Sequence, residues 1–164
     1  MRIVKTSMTG HFKKIEKTAP TEKDAFIFQQ LIDLLKPSIE YLDLECKANT
    51  ARHYELWTTD GFRARSLNPR TGRGIQFAAV IVHRKFITFY FHPLYTDKQL
   101  KTKLTDSLRS LLKGETCFHI KELTDEMIHD FKNLIKLGWE SYKELRLVKV
   151  EMRFIQKNPL IPLS

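Results

Sequence analysis

The sequence predicts an α+β fold: an antiparallel β-sheet of about five or six strands with helices packed mainly on one face. Three observations carry this. Apolar residues recur at helical spacing in two stretches, Phe28, Leu31, Ile32 and Leu35 near one end and Phe131, Leu134, Ile135, Gly138 and Tyr142 near the other. Between these stretches, period-two alternation dominates. The densest apolar region, residues 75–91, divides into two β-rich runs around His83-Arg84-Lys85, which is the pattern of a hairpin. With 164 residues and 42% hydrophobic content, the chain has material for one domain and one core.

The elements follow in the order α-β-β-β-β-α-β-α. Residues 1–20 show no sustained period and read as an N-terminal arm. Thr21-Glu22-Lys23-Asp24 has the spacing of a capping box and opens the first helix. Pro37 disfavours helical geometry at Lys36, so the helix is expected to end about there. From Tyr41 the alternation of Leu42, Leu44 and Cys46 with acidic and basic neighbours predicts a strand, and His53 to Thr59 predicts the next. A long polar connection precedes the hairpin, whose two largely apolar faces place it centrally in the sheet. Asp97 is expected to cap a short turn, Leu108, Leu111 and Leu112 form a stripe, and Gly114 reads as a helix stop. Thr116–Ile120 predicts a short strand, and Thr124 caps the longest helix. The domain is expected over residues 21–145. In the remainder, 146–164, Val148, Val150, Met152 and Phe154 alternate with charged residues as an amphipathic strand or tail, which predicts pairing with the sheet or homodimer formation.

Charge narrows the function classes. The net charge of +9 is concentrated at the ends: residues 1–23 hold six basic against two acidic side chains, and residues 141–164 hold five against two. The body is close to neutral, apart from an acid-free stretch at 61–85 that contains Arg63, Arg65, Arg70 and Arg73. Guanidinium groups beside glycine-freed amides suit anions, so these four are candidate anion-binding residues, and nucleic acid is a candidate partner. No Gly-Lys-Ser/Thr follows them. No apolar run approaches the roughly 20 residues of a membrane span, and the start lacks a secretory leader pattern. Cys46 and Cys117 are read as reduced, small buried side chains in a cytoplasmic protein.

Candidate ligand-binding residues are His92, Tyr95, Cys117 and His119. Alternation places Cys117 and His119 on one face of their strand, and the hairpin exit carries His92 and Tyr95. Cys-x-His lacks a zinc spacing, so no metal set is assigned, and no nucleophile elbow, zincin or dinucleotide motif supports a catalytic residue or a cofactor. A pocket between hairpin and long helix is an alternative ligand site.

The run Phe77-Ala78-Ala79-Val80, then Phe89-Tyr90-Phe91-His92-Pro93-Leu94-Tyr95, then Gly114-Glu115-Thr116-Cys117-Phe118-His119-Ile120, resembles the YdhG-like domain of unknown function. The resemblance covers roughly residues 24–143. It implies a compact α+β domain, mostly from bacterial cytoplasmic proteins and without an assigned activity. Some members are linked to a frataxin-like iron chaperone role. That role would implicate Glu22, Asp24, Asp33, Asp43 and Glu45, which are here interspersed with Lys23, Lys36 and Lys47. The sequence therefore points to a non-catalytic binding module for a small molecule or protein partner. The alternatives are an iron-binding protein and a polyanion binder.

Overall fold

The computed structural model describes residues 19–59 and 74–149. Helix α1, Glu22–Leu35, begins where Thr21 Oγ1 accepts the Asp24 amide at 3.1 Å. Its end corrects the expectation. Lys36 keeps right-handed helical dihedrals, and Pro37 opens a second short helix, α2, Pro37–Leu42. Proline suits the first position of a helix, where its missing N–H would have had no intrahelical partner. Asp43 then adopts a left-handed φ of 53° and stops the turn. Tyr41 and Leu42 are therefore helical, and the first strand starts two residues later.

The strands are β1 Leu44–Asn49, β2 His53–Thr58, β3 Gln76–Val82, β4 Ile87–Phe91, β5 Leu112–Lys113 and β6 Cys117–Ile120. They form one antiparallel sheet in the order β1-β2-β3-β4-β6-β5. The β3–β4 hairpin occupies its centre, as its two apolar faces require. Between β4 and β5 the chain makes α3 Pro93–Thr96, a 3-10 turn Lys98–Lys103 capped by Asp97, and α4 Asp106–Leu111 capped by Thr105. Leu112 leaves the helix to start β5. Gly114, with φ 77°, serves the β5–β6 turn and not a helix stop. Thr124 Oγ1 accepts the Met127 amide at 3.2 Å and starts α5, Asp125–Glu144.

Cross-strand pairing sorts the side chains. Tyr54, Leu56, Ala78, Val80, Phe89, Phe91, Phe118 and Ile120 share one face, and all are buried. Helices α1 and α5 cover this face. Phe131 meets Phe89 and Phe118 edge to face at 5.0 and 5.3 Å between ring centroids. Gly138 brings α5 close, since a Cβ there would lie 2.4 Å from the Phe91 ring. The interface between sheet and long helix is thus filled by interlocked rings.

Two bulges interrupt the alternation. Cys46 faces Leu56 while Ala48 faces Glu55, leaving Lys47 as the extra residue of β1. Leu56 faces Ala78 while Trp57 faces Gln76, leaving Phe77 as the extra residue of β3. Phe77 turns to the helices and packs edge to face on Phe91 and Tyr142 at 5.4 and 5.1 Å. Among the described residues no helix is long and apolar enough to cross a membrane.

Candidate binding face

The second face of the sheet carries the polar and reactive side chains. Register aligns them in rows across the strands. One row runs Glu55, Ala79, Tyr90, Cys117 and Lys113, and the next runs His53, Ile81, Thr88 and His119. Trp57 and Gln76 face each other beyond the first row. Among the described residues no helix lies over these rows. Ala79 and Thr88 are nonetheless 1% exposed: small residues on central strands form a floor, and their larger neighbours stand around them.

The His53-Tyr54-Glu55-Leu56-Trp57 alternation puts three functional groups on this face at successive i, i+2 steps. Glu55 is held from both sides. His53 Nε2 lies 2.5 Å from its Oε1, and Trp57 Nε1–H donates to its Oε2 at 2.7 Å. A carboxylate only accepts, so the facing His53 nitrogen carries the proton. Lys47, displaced by its bulge, stands over the Trp57 ring at 5.1 Å from the centroid. Sequence reasoning missed this trio. The signal was present in the alternation, which sets Glu55 between His53 and Trp57 on one face of one strand.

Across the sheet, Cys117 lies in hydrogen-bonding reach of the Tyr90 and Thr88 hydroxyls. Burial pushes its thiol up from the usual range, against the smaller lowering effect of those bonds. Tyr90 is raised as well, first by burial and then by the neighbouring Cys117. His119 stacks on Phe86 at 4.1 Å and 13° between planes, and His83 approaches the same ring at 5.1 Å. Burial, with His119 nearby, lowers the His83 pKa, and its Nε2 is buried without a hydrogen-bond partner.

The sheet separates the four ligand-binding residues expected from sequence. Cys117 and His119 face the open side together. His92 lies toward the helices, where its Nδ1 meets Tyr142 Oη at 3.1 Å, and Tyr95 lies near it at 5.5 Å between ring centroids. Tyr142 donates its only hydroxyl proton to the Gln76 carbonyl at 2.7 Å, so His92 Nδ1 is the donor in their contact. Burial lowers the His92 pKa and holds it neutral near pH 7. β4 and β6 do pair, but Phe91 points at the helices, and the helical dihedrals of His92 turn its ring toward the same side.

Arg63, Arg65, Arg70 and Arg73 lie outside the described residues, as do most of the tail expected to pair and the arm at 1–18. Cys46 is exposed on β1, not buried as expected, and both cysteines are free. The sheet order puts β1 and β6 four strand spacings apart, roughly 19 Å, well beyond disulfide reach. The carboxylates expected for iron are spread along α1, the turn at Asp43 and β1. Asp33 is bound by Lys36 and Gln29, both at 2.9 Å, which lowers its pKa. Among the described residues no three His, Cys, Asp or Glu side chains are grouped to hold a metal ion.

Comparison of the chain with family models, curated proteins and solved structures finds no match.

Proposed function

We propose that this protein is a non-catalytic binding module whose ligand lies on the open face of the sheet. One observation carries the reading: Glu55, fixed between His53 and Trp57, opens a row that continues through Ala79 to Tyr90 and Cys117. Half-buried rings and oriented polar groups around a small-residue floor are what a recognition surface offers. The alternative site between sheet and long helix is less suited, because aromatic packing fills it. A nucleophilic role suits Cys117 poorly, since its raised pKa keeps the thiol protonated near neutral pH.

Membership of the YdhG-like family belongs to the same reading. It is supported by the antiparallel sheet and by the way Gly114 and Cys117-Phe118-His119 fall on one turn and the strand after it. The two free cysteines support a cytoplasmic location.

A fragment library followed by two-dimensional NMR tests the assignment. Shifts are expected at Trp57, Tyr90, Cys117 and His119, with the Phe89 and Phe131 signals unmoved. Hits confined to the helix-covered side, or a turnover activity abolished by Cys117→Ser, would refute it.

A further inference from the structure

The open face ends in a cationic rim. The β1–β2 turn, the β3–β4 turn and the exit of β6 all lie at one end of the sheet. Val82 N–H donates to the Arg52 carbonyl at 2.8 Å, Arg84 and Lys85 form the hairpin tip, and Lys121 follows Ile120, the register partner of Ile87. Arg84, Lys85 and Lys121 are exposed, and none makes an ion pair among the described residues. The nearby Glu122 is engaged by Lys23 at 3.7 Å.

Rings lead away from this rim across the same face. Phe86, stacked with His119, comes first, Tyr90 lies further along β4, and Trp57 stands beyond it on β2. Of the two carboxylates in these rows among the described residues, Glu55 has both oxygens engaged, and Glu45, the register partner of Trp57, meets Lys47 at 3.9 Å. Cations beside a succession of half-buried rings match the two parts of a single-stranded nucleic acid, a repeating phosphate and an unstacked base. Duplex bases are already stacked and cannot use the rings. A protein partner of acidic character would use the rim but has no need of the ring series. The net charge of +9 adds long-range attraction for any such polyanion.

We infer that the open face binds single-stranded nucleic acid, with phosphates at the Arg52–Arg84–Lys85–Lys121 rim and bases stacked on Phe86, Tyr90 and Trp57. The inference rests on the open face being the ligand surface.

Fluorescence anisotropy with labelled 12-mers of deoxythymidine and uridine, a labelled duplex and heparin as competitor tests it. Single strands are expected to bind more tightly than duplex, with log affinity falling linearly in log salt. Arg84→Ala with Lys85→Ala should shrink that slope by about 1.4, from roughly 0.7 per phosphate contact. Trp57→Ala or Tyr90→Ala should each weaken single-strand binding by about 5-fold to 100-fold while sparing the slope. Ultraviolet cross-linking of the unmodified protein to a bromouracil oligonucleotide, mapped by mass spectrometry, covers the case in which a ring variant misfolds; adducts are expected on Phe86, Tyr90 or Trp57. Equal binding of duplex and single strand with no effect of the ring changes would overturn the inference, leaving charge attraction alone. Adducts confined to residues 60–73, or no oligonucleotide binding, would overturn it too. In that last case fragment shifts on the open face would keep the binding-module reading alive, and their absence would end both.

Discussion

The two faces of this sheet are made from the same six strands and obey opposite rules. On the covered face, aromatic rings interlock with α1 and α5, and Phe89, Phe91, Phe118 and Phe131 have no solvent exposure. On the open face, alternate residues of the same strands are mostly half-buried, and many carry a polar or ionisable group that meets another across a strand or two residues along one. The first face fixes the fold and is costly to alter. The second is chemically varied and tolerant, as a surface kept for recognition should be.

The largest effect that would break this contrast is on the covered side. Phe89→Ala removes a ring that touches Phe91, Phe118 and Phe131 and should cost about 3–5 kcal/mol in urea unfolding. A loss below about 1 kcal/mol would mean that the ring cluster is not the core.

A matched pair sharpens the comparison, because the same oxygen is removed from each face. Tyr142→Phe leaves the Gln76 carbonyl and His92 Nδ1 without their shared partner in a buried setting and should cost about 1–3 kcal/mol. Tyr90→Phe removes a half-buried hydroxyl beside a weakly bonding thiol and should stay within about 0.5–1 kcal/mol. Equal losses from the two variants would erase the distinction.

The smallest expected effect is a pH dependence from His92. Its folded pKa lies below the unfolded value of about 6.5. The stabilisation it contributes is therefore complete above that value and is lost as pH falls through the depressed folded pKa. His83 is shifted in the same direction from the open face. Urea midpoints should drop modestly between pH 7 and pH 5, and His92→Asn, which keeps an N–H for Tyr142, should flatten part of that drop. A slope unchanged by His92→Asn, but removed by His83→Asn, would move the titration to the open side.

Much of the fold was legible because period and capping chemistry are local. Thr21 and Thr124 cap where the sequence places them, and the hairpin is central because both its faces are apolar. Three features were not legible. Pro37 reads as a stop, yet the same rigid ring is a good helix start, and only the packing of α2 decides between them. Gly114 and Leu112 belong to a two-residue strand too short to show a period. The grouping of His92 and Tyr95 with Cys117 and His119 failed because the chain leaves β4 at His92 for the short helix α3, whose dihedrals turn both rings off the face that alternation would have given them. The Glu55 trio, by contrast, was written in plain alternation. Alternation along β2 alone brings Trp57 and His53 to one carboxylate, and only the hydrogen bonds themselves had to be seen.

The bulge at Phe77 carries a consequence for the whole sheet. A strand has a parity, and every residue added or removed exchanges inside for outside. By absorbing one extra residue, β3 lets Phe77 and Ala78 both face the helices while Gln76 and Ala79, three positions apart, both face outward. The two ends of β3 are thus out of phase with each other, and each is in phase with its own neighbours. Loss of Phe77 would restore plain alternation with Gln76 still outward opposite Trp57, so the open face would keep its phase and only the ring packed on Phe91 and Tyr142 would go.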